Sequence, residues 1–207
     1  MKHSPIFKLR AKNITFGLAP LALLALSACG GGGTSSGGSF SVGGNVIKGP
    51  LSNALVGLDT DGDGVVDTDQ VRTGADGSYS LSTTSGTYTV IATTDNTTLD
   101  TSSGVVLSGV TLKAPQGATV VTPTTTLMEE GDLTADQVAE VLGLPDGVNP
   151  LSFNPFDIDE TDATQVANAL AVEIASQQVM SVVSAFASAA EGAGASEADA
   201  FTAALNS

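Results

Sequence analysis

The residues best suited to chemistry are carboxylates concentrated in one short stretch, LDTDGDGVVDTDQ, which runs from Leu58 to Gln70. Five aspartates fall within eleven positions, and they are Asp59, Asp61, Asp63, Asp67 and Asp69. Carboxylates this close repel one another, and a cation held among them relieves that repulsion. The stretch is therefore either a solvated acidic turn or a loop that binds a cation.

The spacing matches the D-x-D-x-D-G-x-x-D pattern of the calcium loop in EF-hands, in which calcium takes six to eight oxygen ligands. The ligands that this spacing predicts are Asp59, Asp61, Asp63, the backbone carbonyl of Val65, Asp67, and one of Asp69, Gln70 or a water at the closing position. Gly64 permits the sharp turn that such a loop requires. Because Gln70 offers one neutral oxygen where a bidentate carboxylate is usual, we expect a loose Ca²⁺ site, with a Kd of about 10⁻⁴–10⁻³ M.

The segments around this loop indicate strands, so the loop is not part of an EF-hand. From about residue 41 to 123, apolar residues alternate with small or polar ones, and turn signals interrupt them at short intervals. Six or seven short strands at this spacing predict an antiparallel β-sandwich over residues 45–123.

Three pieces of this region resemble the carboxypeptidase-regulatory-like (transthyretin-like) β-sandwich. They are GNVIKGPL at residues 44–51, NALVGL at residues 53–58 and TGADGSYSL at residues 73–81. The resemblance implies a Greek-key topology and no catalysis by the module itself. The acidic stretch would enlarge one loop of the sandwich, as in bacterial surface modules of the calcium-dependent adhesin type.

After Pro123 the composition changes, and we predict a small helical region over residues 124–207. Thr134 and Gln137 form a capping-box pattern that opens a helix ending near Leu142. A long helix is expected from about residue 161 to 190, with one apolar stripe made of Val166, Leu170, Ile174, Val179, Val182, Val183 and Phe186. A last helix from residue 196 is so short that the chain is either a fragment or ends in a frayed terminus. The expected fold class is α+β.

The N-terminus has the pattern of a secretory leader. Residues 2–12 are basic, residues 14–26 are apolar, and the sequence LSAC that ends at Cys29 resembles the lipobox of bacterial lipoproteins. The resemblance implies a signal peptide over residues 1–28 and a membrane anchor of lipids on Cys29, whereas the alternative is an ordinary signal peptide with a stray cysteine. A Gly/Ser-rich tether would follow over residues 29–44. Gly30 after the cysteine favours the outer membrane of a bacterial envelope.

Charge and composition restrict the function. The net charge is −15, and all 22 acidic residues follow Leu58, so a nucleic-acid partner is not expected. The single histidine, His3, lies in the leader, which argues against Ser/His and Cys/His catalysis, and we expect no enzyme. Two functions remain open. One is a calcium-stabilised structural or adhesive lipoprotein, with an unidentified protein or matrix partner, and the other is an accessory or ligand-binding lipoprotein.

Overall fold

The structure is a computed structural model that describes residues 38–195. The predicted signal peptide, the predicted lipidation site Cys29, most of the predicted tether and the predicted helix from residue 196 lie outside the described residues.

In the described part of the chain, strands come first and helices follow. The strands are β1 (Phe40–Val46), β2 (Leu51–Ser52), β3 (Leu55–Asp59), β4 (Val71–Arg72), β5 (Ser78–Thr83), β6 (Thr89–Thr93), β7 (Leu99–Asp100), β8 (Val105–Val106), β9 (Thr111–Ala114) and β10 (Val120–Val121). The helices are α1 (Pro123–Gly131), α2 (Ala135–Leu142) and α3 (Ala163–Gly192). This order confirms the α+β class. Half of these strands have only two residues, too few to show alternation in the sequence.

The strands form three small sheets, ordered β10-β1-β5, β4-β3-β6-β9 and β2-β7-β8. All neighbours are antiparallel except β1 and β10, which pair in parallel through Asn45 with Val120 and Val46 with Val121. The close approach of these two strands depends on Gly44, because a Cβ there would collide with the carbonyl of Thr119. The expectation of an entirely antiparallel arrangement is therefore corrected at this edge.

Strand β1 begins earlier than the sequence predicts. The tether was expected to reach Gly44, whereas residues 40–44 already pair with β5. Val42 lies buried opposite Leu81, and this pairing provides the apolar contact that a solvated tether would lack. The two glycines that follow Val42 are typical of a flexible tether in composition, yet they belong to strand β1.

One apolar core joins the sheets β10-β1-β5 and β4-β3-β6-β9 to α3. Fully buried residues of the sheets, among them Val56, Leu58 and Leu112, belong to the same cluster as Val179 and Met180 of the helix. The side of α3 that faces the core consists of Ala169, Val172, Ala175, Ser176, Val179, Met180, Val183 and Ala187.

The predicted apolar stripe of α3 is wrong in phase. Of its members, only Val179 and Val183 are buried, whereas Leu170 is 60% exposed and Ile174 is 50% exposed. Residues spaced by four drift around a helix of 3.6 residues per turn, so the predicted set does not stay on one side. The buried side uses alanines, whose small side chains permit close packing but carry a weak hydrophobic signal.

Helix α2 confirms the predicted capping box and end, and α3 begins at a cap that was not predicted. Thr134 accepts a hydrogen bond from the amide of Gln137, the side chain of Gln137 returns one to the amide of Thr134, and Gly143 ends the helix in the left-handed conformation. Asp162 caps α3 by accepting bonds from the amides of Thr164 and Gln165.

Helix α1 was not predicted, because its sequence PTTTLMEEG begins with proline and three β-branched residues. Thr122 caps the helix and Pro123 occupies its first turn, where a missing N–H has no cost. Thr125 Oγ1 accepts from the amide of Thr122 at 2.8 Å and lies 2.7 Å from the carbonyl of Lys113, to which it donates. The buried threonines thus bind α1 to β9 by hydrogen bonds.

Replacing Thr125 with valine tests this account. Thr125→Val keeps the shape but leaves the amide of Thr122 and the carbonyl of Lys113 without this partner in a buried place. We expect the free energy of unfolding, measured by urea titration, to fall by about 1–3 kcal/mol. Thr164→Val, at an exposed position of α3, is the matched control and should change it by less than about 0.5 kcal/mol. Equal effects of the two variants would contradict the account.

Candidate metal centre

The acidic loop follows a strand that the core holds rigidly. Strand β3 lies between β4 and β6, and its residues Val56 and Leu58 are fully buried. Asp59 is the last residue of β3 and pairs with Thr89 of β6. The first predicted ligand is therefore positioned by the sheet, and the loop that supplies the others begins there.

Asp59 organises the loop around its carboxylate. Its side chain is nearly buried, with 4% exposure. Oδ1 accepts from the amides of Asp61 at 3.2 Å and Gly62 at 2.7 Å, and Oδ2 accepts from the amide of Gly64 at 2.8 Å. Gly62 and Gly64 have φ of 83° and 84°, a conformation that favours glycine. The alternating Asp-Gly pattern thus curls the chain around one carboxylate.

Asp67 closes the loop from its other end. Its amide donates to the carbonyl of Leu58 at 2.8 Å, and its Oδ2 accepts from the amide and hydroxyl of Thr60 at 2.7 and 2.8 Å. Oxygens of Asp59, Asp61 and Asp67 all lie within 4.8 Å of one another, so these three carboxylates could hold a metal ion. Asp59 is buried in this group, whereas Asp61 and Asp67 are exposed.

Of the predicted carboxylate ligands, Asp63 and Asp69 are not in this converging group. Asp63 Oδ1 accepts from the amide of Val65 at 2.8 Å, and the side chain of Val65 is exposed. Asp69 and Gln70 line a separate hollow of about 610 Å³, together with Val65 and residues of β6 and β9. The acidic group instead borders a hollow of about 250 Å³, lined also by Tyr88 and Gln116. Of the aspartates in the predicted pattern, Asp59, Asp61 and Asp67 therefore converge.

Two threonines that the sequence did not single out help to shape the loop, and Val66 turns inward as its apolar side chain predicts. Thr60 binds Asp67, and Thr68 Oγ1 accepts from the amide of Leu58 at 2.9 Å. Val66 packs over Gly57 of β3, where a Cβ would collide with Cγ1 of Val66. The sequence contains two signals for these contacts. One is the threonines that alternate with the aspartates, and the other is a glycine inside an apolar strand.

Hydrogen bonds within the loop favour the ionised form of Asp67. Hydrogen bonds from the amide and then the hydroxyl of Thr60 hold the pKa of Asp67 below its usual range. A carboxylate stabilised in this way stays charged at neutral pH and remains available to a cation.

Comparison of the chain with protein-family models, with curated proteins and with solved structures gave no match. Among the described residues, α3 is long and apolar enough to cross a membrane by length and composition, a test that core helices of soluble proteins also pass. Its core-facing side packs into the cluster described above.

The lowered pKa of Asp67 predicts a pH dependence. An aspartate has a pKa of about 3.9 when unfolded, so the stability contributed by ionised Asp67 is complete above that value and is lost as pH falls through the lower folded pKa. In chelator, the free energy of unfolding of Asp67→Asn should therefore fall less steeply than that of the wild type between about pH 5 and pH 2.

Thr60→Ser is the control for this experiment, because serine keeps the hydroxyl that binds Asp67. Its acid slope, measured by urea titration across the same pH series, should match the wild type. A wild-type slope in Asp67→Asn would show that Asp67 does not contribute in this way.

Gly57→Ala tests whether the strand positions the loop. The new methyl group would collide with Val66 and lie 3.1 Å from Cγ of Gln70, so the loop must move outward. We expect the free energy of unfolding to fall by about 1–3 kcal/mol. Gly86→Ala adds a methyl group in open space and should cost much less. If both variants unfold at the same urea concentration, the packing of Val66 over Gly57 is unimportant.

Proposed function

We propose that the protein is a non-catalytic, calcium-stabilised lipoprotein module of the bacterial envelope, with a structural or adhesive role. The observation that carries this proposal is the convergence of Asp59, Asp61 and Asp67 at the end of a buried strand. The group lies in a loop between strands, where a bound cation holds the loop against the sheet.

Calcium fits this group better than magnesium. The ligands are carboxylate oxygens, which hard cations prefer, and two of the three carboxylates are exposed, so water can complete the coordination. Magnesium requires near-ideal octahedral geometry, whereas calcium tolerates irregular loops. Asp63 joins the site when the cation competes successfully for the carboxylate that now accepts from the amide of Val65.

The cation would hold the two ends of the acidic loop together. It binds residues from both ends of the loop, so it binds the folded state and not the open chain. Such a ligand stabilises by mass action, by about 1.4 kcal/mol when its free concentration is ten times Kd. A site of low affinity is sufficient for a protein outside the cell, because the calcium concentration outside the cell is high enough to keep the site filled.

The proposed module has a sandwich fold and a place in the bacterial envelope. The shared core of sheets β10-β1-β5 and β4-β3-β6-β9 supports a two-layer sandwich, for which we propose the Greek-key, transthyretin-like topology. The lipobox-like sequence supports an anchor at Cys29, a bacterial envelope location and, through Gly30, the outer membrane. The partner is a protein or a matrix component, and the acidic surface argues against nucleic acid.

A second candidate function is an accessory or ligand-binding lipoprotein. A cleft between the β7–β8 turn and α3, which shares no residue with the acidic loop, supports this alternative.

Thermal melting with and without calcium tests the proposed function. We expect millimolar calcium to raise Tm relative to chelator, because the cation binds only the folded loop. Asp61→Asn should remove most of that increase, whereas Asp146→Asn, at an exposed turn remote in sequence from the loop, should retain it. Superimposable melting curves of the wild type in calcium and in chelator would falsify the calcium proposal.

A further inference from the structure

A polar cleft of about 520 Å³ separates the β7–β8 turn from α3. Ser102 and Ser103 line one wall, and Glu173 and Gln177 line the other. Apolar side chains line the same space, and they are Leu107, Val110 and Met180. The volume lies in the range of small-molecule sites, which is about 300–1,000 Å³.

The carboxylate of Asp100 at this cleft is fully engaged within the protein. Its Oδ1 accepts from the amide and hydroxyl of Ser102 and from the amide of Ser103, at 3.0, 2.7 and 3.2 Å. Its Oδ2 accepts from Lys48 Nζ at 3.2 Å, and only 2% of the residue is exposed. Gly49 approaches this carboxylate so closely that a Cβ at residue 49 would collide with Asp100 Oδ1 and Ser102 Oγ.

Glu173 is in the opposite situation. Within residues 38–195 it forms no hydrogen bond or ion pair, although it is half-buried and lines the cleft. Burial, followed by the charge of Asp100, raises the pKa of Glu173. The nearby lysine, Lys48, is already paired with Asp100. The cleft therefore presents one carboxylate whose charge no neighbouring cation balances.

The available oxygens fit an ammonium group better than a metal ion. Calcium takes six or more oxygens and favours several carboxylates, whereas only two carboxylates, Asp100 and Glu173, line the cleft, and Asp100 is paired with Lys48. A primary ammonium needs three acceptors. Glu173, Gln177 and Ser181 follow one another at single turns along the same side of α3, and Ser181 donates to the carbonyl of Gln177, which leaves its own lone pairs free.

From this geometry we propose that the cleft binds a protonated primary amine on a short apolar stem. The ammonium pairs with Glu173 and hydrogen-bonds to Gln177 and Ser181, while the stem lies on Leu107, Val110 and Met180. A small alkyl amine and a lysine side chain of a partner protein carry the same chemistry, and both fit the cleft.

Titration of the full-length chain with n-pentylamine, followed by amide NMR, tests the proposal. We expect saturable shifts at residues 102–110 and 173–184, and an affinity at least about tenfold higher than for 1-pentanol, which lacks the charge. Glu173→Gln should reduce the affinity for the amine by about tenfold or more. Glu160→Gln removes a charge at an exposed position before α3 and should leave the affinity unchanged.

A blocked lysine, acetylated at its α-nitrogen and amidated at its carboxyl end, separates the two sources. Binding equal to that of pentylamine supports a lysine side chain as the ligand, whereas binding of pentylamine alone supports a small amine. Shifts that spread over the acidic surface without saturation, or equal affinities in wild type and Glu173→Gln, would overturn the proposal.

Discussion

A carboxylate buried at the end of a strand must find hydrogen-bond donors, and this requirement governs the chain around Asp59. The strand that carries it is held by fully buried Val56 and Leu58, and Asp59 itself is only 4% exposed, so water can reach little of its carboxylate. The following loop therefore turns back and presents three amides to it. The loop geometry, the positions of the two glycines and the approach of Asp61 and Asp67 all follow from that single constraint.

The sequence revealed the features that depend on local spacing. The capping box at Thr134, the end of α2 at Gly143 and the curled acidic loop each involve residues a few positions apart, and each is present in the structure. Features set by distant contacts were harder to predict. Helix α1 has a local cap at Thr122, but its β-branched stretch is also bound to β9 through Thr125 and Lys113, twelve residues apart. No local propensity argument includes that bond.

The same distinction applies to the metal centre. Spacing predicted Asp59, Asp61 and Asp67, which converge, because curling of the loop is a local matter. The closing residue depends on how the loop leaves the site, and Val66 packs over Gly57 just before Asp69 and Gln70. Asp69 and Gln70 lie along a different hollow, which Val66 also lines. The glycine in β3 thus bears on which oxygens lie near the acidic group, an effect that the D-x-D-x-D-G pattern does not contain.

Scarcity of basic residues links the two proposed sites. Beyond the leader the chain has only Lys48, Arg72 and Lys113, and each forms an ion pair that joins separate segments, with Asp100, Asp95 and Glu130 respectively. These cations are therefore committed to the fold, and no basic side chain of the described residues is left to pair with the other carboxylates. Water stabilises the exposed ones, but where three carboxylates converge a divalent ion could relieve their repulsion. At Glu173, which is half-buried among hydroxyls and apolar side chains, the proposed ammonium group would have the same effect.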